Sequence, residues 1–460
     1  MLNLNHWLLT TLNDIPRYEK PPLPLTFYVA EDFKGELSPF ADEIWSMLEF
    51  FGEEYGPYKG STLNFVRLRN VKLPSIGSSQ LVLLNSKIFD NYSLQIMHLA
   101  QKVAHQWWGG SVRFRTSSDA WLADGFAAYA ALRYVQKKYP DQFTLQLARE
   151  AVQTLKHENQ APISRGLQLK SGSPEYESIV SSKSSWVLYM FSQLVDPKNL
   201  NLMLRDWYQE KSGQSVSTAE WVDFVEEQTG KDYSWFFVQW VDQVGVPEFL
   251  IDYTIYKLKE GGFKIRGQVK QSLELFRMPL ELIIRTKGQP EEKQLKISGR
   301  NTSFTFYTET LPLKIEFDPH GKILSQSPRM RILVHIALGE EHKGLGDFLG
   351  AIREYEKASK LNPRSSLAHY RLGAVFFEQQ NLSAAADSFR HSLNGDLKPK
   401  WVETWTHIFL GKVYDILGQR QRAMAEYQKA INMKIDHNGA LYEAKKYLRE
   451  AYTKPSSLIG

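Results

Sequence analysis

The chain of 460 residues contains no cysteine. That excludes disulfides, a thiolate nucleophile and sulfur-ligated zinc, while leaving the redox compartment undecided. A catalytic metal here would have to be held by His, Asp and Glu alone. The chain also lacks a strong charge of one sign: 56 Lys and Arg against 51 Asp and Glu leave +5, too little over this length to require nucleic acid or a membrane surface as partner. No apolar run approaches the roughly 18 residues that cross a bilayer. The opening Met1-Leu2-Asn3-Leu4-Asn5-His6 has no basic stretch, so a cleaved signal is not expected there, and no compartment is assigned. A glycine-rich phosphate loop, a Gly-x-Ser-x-Gly elbow and an intact His-Glu-x-x-His are all missing. What remains is an ordinary globular composition, 43% hydrophobic and 23% charged, in a length that predicts about three domains.

Internal repetition is clearest at the C-terminal end. Leu338-Gly339, Leu372-Gly373 and Leu410-Gly411 are each followed in register by Ala351, Ala385 and Ala423, then Tyr355, Phe389 and Tyr427, then Ala358, Ser392 and Ala430. Small residues at these points let two helices of a hairpin approach closely, with the aromatics expected to fill the gap between successive hairpins. The pattern resembles the tetratricopeptide repeat, broken by Pro363 and Pro399 and closed by a capping helix on Leu441, Ala444, Tyr447, Leu448 and Ala451. The resemblance implies an α-helical solenoid over 330–455.

Upstream, 248–325 alternates in short steps, as in Phe249 to Tyr256 and Phe263 to Gly267, with turns at Glu260-Gly261-Gly262 and Lys287-Gly288-Gln289-Pro290. This predicts a small antiparallel β-sandwich of six or seven strands. Residues 1–247 mix both periods. Strands are expected at Leu25 to Val29, Leu63 to Arg69 and Gln80 to Leu84, a helix at Phe40 to Glu54, and mostly helix from Asn91 to Gln243, which is an α+β unit followed by a helical one.

The chemically informative stretch is Met97 to Gly110, followed by Trp121-Leu122-Ala123-Asp124-Gly125-Phe126-Ala127-Ala128-Tyr129. A zincin places two histidines at i and i+4 on one helical face, a glutamate beside the first as general base, and a third carboxylate ligand on a following helix. His105-Gln106-Trp107-x-Gly109 and the Trp-Leu-x-acid-Gly-Phe-Ala-x-Tyr segment, with its acid nineteen positions after the histidine, resemble the gluzincin zinc aminopeptidases of the alanyl and leucyl type. Lys183 with Trp186 to Met190 is similar to that family's Tyr-x-Lys-Gly helix, and Phe236 to Trp240 with Gly245-Val246-Pro247 to the end of its thermolysin-like domain. The resemblance runs from about Leu25 to Phe317 and implies a thermolysin-like α+β domain over 1–247. In that family a large β-domain precedes the first of these strands.

The departures from the family's pattern carry the functional expectation. Gln101 stands at the first zinc-histidine position, Lys102 where the catalytic glutamate would be, and Asp124 where the third ligand is a glutamate. Ser181 aligns with the tyrosine that stabilises the tetrahedral intermediate, and Ser75 to Gln80, without an acid, with the segment that binds the substrate's amino group. Of these positions His105 alone is unchanged. A peptidase zinc site is near neutral because the dication faces two carboxylates; Lys102 and Asp124 already sum to zero without metal. A dication beside an ammonium costs about 4 kcal/mol per unit-charge pair at roughly 4 Å and an effective dielectric near 20. The expectation is that the Lys102 ammonium replaces the metal and pairs with Asp124, with His105 nearby. His98, seven residues before His105 and about 10.5 Å away along a helix, is expected to be packed or hydrogen-bonded. Ser181, Ser182, Ser184 and Ser185 read as a helix N-cap.

The sequence therefore predicts a catalytically inactive pseudopeptidase that binds a peptide or protein through Gln101, Lys102, His105 and Asp124 as a remnant cleft and through the repeats. No cofactor and no catalytic residue is expected, with Lys102 and Ser181 standing at degenerate catalytic positions. Two alternatives stay open: an active zinc aminopeptidase using Gln101, His105 and Asp124, or a fragment of a longer peptidase-like protein.

Overall fold

Alternate burial along Leu25, Phe27, Leu63, Phe65, Val82 and Leu84 is what a sheet with one apolar face requires. The computed structural model describes residues 17–18, 23–30, 33–69, 75–90, 95–274 and 276–453; Met1 to His6 lie outside them. β1 (Arg17–Tyr18), β2 (Leu25–Tyr28), β3 (Leu63–Leu68), β4 (Ile76–Ser78) and β5 (Leu81–Asn85) form one sheet in the order β1-β2-β3-β5-β4. Its middle pairs are parallel and both edge pairs antiparallel. The parallel β2–β3 pair needs a crossover, which α1 (Ser38–Tyr55) supplies; it buries Phe40, Ile44, Met47, Leu48 and Phe51. The short α2 (Ser86–Asp90) follows β5.

The helical part opens with α3 (Ile96–Ala104), α4 (Trp121–Lys138) and α5 (Pro140–His157). α4 is buried almost all round, with Trp121, Phe126, Tyr129 and Tyr134 each nearly fully covered. A helix apolar on every side belongs at the centre of its domain. Next come a three-residue turn, α6 (Pro174–Tyr176), a π-helical stretch Glu177–Lys183, α7 (Ser184–Val195), α8 (Pro197–Lys211), α9 (Thr218–Thr229) and α10 (Ser234–Val241). A two-residue parallel pair, β6 (Arg113–Phe114) with β7 (Ser215–Val216), ties the loop before α4 to the one before α9.

Two three-stranded antiparallel sheets follow. β8 (Phe249–Lys257) and β12 (Asn301–Thr308) flank β9 (Phe263–Gln271); β11 (Glu291–Ile297) and β13 (Pro312–Phe317) flank β10 (Met278–Thr286). Ile265 and Val269 on one central strand and Leu280, Leu282 and Ile284 on the other are buried, whereas Arg266, Lys270 and Arg285 are exposed, the alternation of a half-buried strand.

The chain divides into two compact units, Met1–Gln326 and Ser327–Gly460. The second contains three helical hairpins, α11 (Pro328–Gly344) with α12 (Phe348–Leu361), α13 (Ser366–Glu378) with α14 (Leu382–Leu393), and α15 (Trp401–Ile416) with α16 (Arg420–Asn432), then α17 (Ala440–Arg449). A Cβ placed on Gly339, Gly373 or Gly411 would stand 2.3 to 2.5 Å from a ring atom of Tyr355, Phe389 or Tyr427. Each aromatic thus lies over the glycine of its own hairpin. This amends the expectation that the rings fill the gaps between successive hairpins, although Tyr355 shares one apolar cluster with Ala368 and Leu372 of the next one.

Candidate functional site

α3 presents Gln101 and Lys102 from its last turn, and His105 caps its C-terminus, its N–H bonding the Gln101 carbonyl at 3.1 Å. All three side chains are buried. Edge strand β4 runs against this end of the helix: a Cβ on Gly77 would fall 2.7 Å from both the His105 Cβ and the Lys102 carbonyl oxygen. Glycine is therefore the residue that permits this approach. Gln106 fastens the same strand, its Nε2 donating to the Ser78 carbonyl at 2.8 Å and its Oε1 accepting from the Gln80 N–H at 2.8 Å and the Tyr58 hydroxyl at 3.2 Å. The segment Ser75 to Gln80 thus forms one wall beside Lys102 and His105.

His105 Nδ1 lies 3.0 Å from the Trp108 carbonyl. A carbonyl can only accept, so Nδ1 carries the proton and Nε2 of the neutral ring has its lone pair free. Nε2 stands 3.5 Å from Asp124 Oδ1. Burial holds the His105 pKa below the ordinary imidazole value, opposed by Asp124 and reinforced by the Lys102 ammonium.

Asp124, in the first turn of α4, accepts a hydrogen bond on its other oxygen from the Tyr176 hydroxyl at 2.7 Å. Burial and the adjacent Asp124 carboxylate push the Tyr176 pKa far above the ordinary phenol range, so Tyr176 remains a donor. The expected Lys102–Asp124 ion pair is not formed. Asp124 is engaged by His105 and Tyr176, and among the described residues no hydrogen bond or ion pair satisfies the Lys102 ammonium. Lys102 adds a positive charge to the burial that already disfavours protonation of His105 and His98.

Gln101 turns the other way, its Nε2 donating to Ser181 Oγ at 2.9 Å. Ser181 and Ser182 belong to the π-helical stretch and Ser184 and Ser185 to α7; all four are buried. The N-cap reading is corrected: Ser182 Oγ donates to the Glu150 carboxylate at 2.7 Å and Ser185 Oγ to the Ser182 carbonyl at 2.9 Å. The residue that does cap is Ser173, which accepts from the Tyr176 N–H at 3.2 Å. His98 keeps part of its surface exposed, yet burial of the ring lowers its pKa, opposed by the Glu150 and Glu177 carboxylates and reinforced by the Lys102 and Lys87 ammonium groups.

The donor set does not fit a catalytic zinc. Among the described residues no three His, Asp or Glu side chains converge as metal ligands. Around His105 there is one imidazole, one carboxylate already bound to a phenol, and an amide committed to a serine. The Lys102 ammonium in the same buried end of α3 opposes a dication. The participants that sequence reading missed are Tyr176 and Gln106. Tyr176 supplies a phenol from five positions before the serine that aligns with the family's tyrosine, a shift no spacing rule reveals.

The fold and this remnant helix pair define an aminopeptidase-like domain followed by a helical repeat array. Residues 70–240 match the model of the peptidase family M1 domain, and 339–380 and 406–437 match tetratricopeptide-repeat models. Glutamyl aminopeptidase of Bos taurus is 20% identical over 262 residues, covering 52% of this chain and 27% of that protein. Leucyl aminopeptidase of Saccharolobus solfataricus is 21% identical over 228 residues, covering 45% and 29%. The chain thus spans under a third of the length of these relatives. The crystal structure of Legionella pneumophila aminopeptidase A in complex with aspartic acid superposes with a TM-score of 0.58 at 13% identity, covering 95% of this chain and 59% of that one, which shows a shared fold. The match to the M1 peptidase domain thus falls within the first unit, which is aminopeptidase-like, and the tetratricopeptide-repeat matches fall within the second.

Proposed function

We propose that this chain is a catalytically inactive relative of the M1 aminopeptidases that serves as a peptide- or protein-binding scaffold, through the remnant cleft and through the repeats. The observation that carries this reading is the internal consumption of the inherited site. Gln101 is bonded to Ser181, Asp124 to Tyr176, and the position of the general base holds the Lys102 ammonium. Hydrolysis needs a base that takes a proton from water and a cation that polarises the carbonyl. An ammonium cannot do the first, and the donors present do not fit the metal that does the second. The repeats support the binding half of the proposal, since stacked hairpins build an extended surface suited to protein partners. No described helix is long and apolar enough to cross a membrane.

Turnover of aminoacyl arylamides, with and without added zinc, tests the proposal. The expected result is no turnover above that of the His105→Ala variant. Zinc-dependent turnover abolished by that substitution would establish the second reading, an atypical enzyme using Gln101, His105 and Asp124. That reading has one observation in its favour, the unprotonated Nε2 of His105 beside Asp124.

A further inference from the structure

Lys412 on α15 is buried, pairs with Glu443 on α17, and lies beneath three aromatic rings, 4.8 Å from the centroid of Phe409, 5.2 Å from Tyr447 and 5.1 Å from Tyr452. Phe409 and Tyr447 belong to helices. Tyr452 does not: it comes after α17 has ended in an extended Glu450, on the segment 450–453. Its ring also stands 6.0 Å from Phe377 on α13 and edge-on to Tyr447 at 5.1 Å. This one side chain therefore touches α13, α15 and α17, each the first helix after a turn of the array, and lies across the face they share.

The backbone is recognised as well. The Tyr452 N–H donates to Asp415 Oδ2 at 2.8 Å. The Asp415 side chain is fully buried, and its remaining capacity goes to the Tyr427 hydroxyl at 2.9 Å and the Arg420 guanidinium at 3.0 Å. Arg420 in turn holds the Leu448 carbonyl at 2.8 Å. A cation beneath a ring, two further rings beside it, and a pre-positioned carboxylate for the same residue's N–H make a receptor for an aromatic residue in an extended peptide.

We propose that this seat is a peptide-binding site selective for an aromatic residue, which the chain's own Tyr452 occupies in competition with a partner. The proposal rests on reading the repeats as a protein-binding module and is independent of the state of the cleft. A tethered segment this short acts at an effective concentration on the order of millimolar. With an intrinsic dissociation constant of about 10–100 μM for the tethered segment itself, a competing peptide is weakened roughly tenfold or more while Tyr452 is seated.

The test uses the full-length chain and a fluorescent peptide copying residues 449–460. The Tyr452→Ala chain should bind it at least about tenfold more tightly than the wild-type chain does. Tyr452→Phe, which keeps the ring, should exclude it like wild type. A peptide with alanine in place of its tyrosine should bind none of the three, and adding Lys412→Met to Tyr452→Ala should abolish binding. Equal binding to wild type and Tyr452→Ala, or no binding to either, overturns the proposal. Should Tyr452→Ala fail to fold, amide exchange on the wild-type chain decides: a saturating excess of peptide should accelerate exchange at residues 450–453, and bound peptide without that acceleration overturns it. None of these outcomes depends on peptidase activity.

Discussion

Gln101 and Ser181, 80 positions apart in the chain, share a buried hydrogen bond of 2.9 Å. The resemblance to the zinc aminopeptidases aligns these two positions with a metal ligand and a tyrosine, and in this chain they satisfy each other. Ser181→Ala leaves the Gln101 amide without its acceptor in a buried setting, so the first unit should lose about 1–3 kcal/mol. Removing both partners in Gln101→Leu/Ser181→Ala should cost less than the sum of the two single changes. Chemical denaturation of the four proteins checks this; additive losses would mean the bond is incidental.

The charge at position 102 should govern metal affinity. Replacing Lys102 by Glu changes the local charge by two units, and Gln101→His restores an imidazole four residues before His105. Gln101→His/Lys102→Glu should bind zinc at least about 100-fold more tightly than wild type, given roughly 4 kcal/mol per charge pair at close range. Titration against a chelating dye measures it. Unchanged affinity would show that the ammonium is not what opposes the metal.

Glu158 and Lys183 are two buried groups that feel each other's charge, and their titration is readable in stability. Burial lifts the Glu158 pKa to about 7, against the pull of Lys183 and the Val246 amide, and lowers the Lys183 pKa to about 8. Lys183 Nζ donates to the Gln243 carbonyl at 3.1 Å, and Gln326 donates to one Glu158 oxygen. Because the folded chain binds the Glu158 proton more tightly than the unfolded chain, that contribution is complete below the ordinary carboxylate pKa and disappears as pH rises through 7. For Lys183 the contribution is complete above its ordinary pKa and disappears as pH falls through 8. Glu158→Gln should therefore match wild type near pH 5 and exceed its stability by about 1–3 kcal/mol near pH 8. Melting curves across this range test it, and a variant that weakens relative to wild type as pH rises contradicts the assignment.

The repeat glycines give a test local to the second unit. Gly373→Val would drive a side chain into Phe389, whose Cε1 lies 2.5 Å from the site of a Cβ. About 1–3 kcal/mol should be lost from the repeat array. At Gly344, where a Cβ meets nothing within 4 Å, alanine should be tolerated. Equal effects at both positions would show that helix approach is not set by these glycines.

The parts of this molecule legible in its sequence are those with a period or a fixed spacing. β2, β3, β5 and α1 fall within a few residues of their expected positions because apolar alternation marks them. The repeats and the pairing of α3 with α4 follow from glycine, alanine and histidine spacings. Left unseen were the three-residue edge strand β4, too short for any period, and the π-helical stretch, whose serines look like a cap in sequence but are buried by the packing of α5 and α7. The engagement of Asp124 went to Tyr176 rather than Lys102 because side-chain direction along α3 and a shift of five residues on the neighbouring element decide it, and neither is written in local composition. A further regularity passed unnoticed: His335, His369 and His407 recur at the glycine spacings, and the first and last face Glu354 at 2.7 Å and Glu426 at 2.6 Å.

The most direct measurement is elemental analysis of zinc in the protein after zinc loading and dialysis against metal-free buffer. Retention well below stoichiometric is predicted, since Lys102, the Gln101–Ser181 bond and the Asp124–Tyr176 bond leave no converging set of donors for a dication among the described residues. One zinc held per chain, and lost on His105→Ala, would contradict the account.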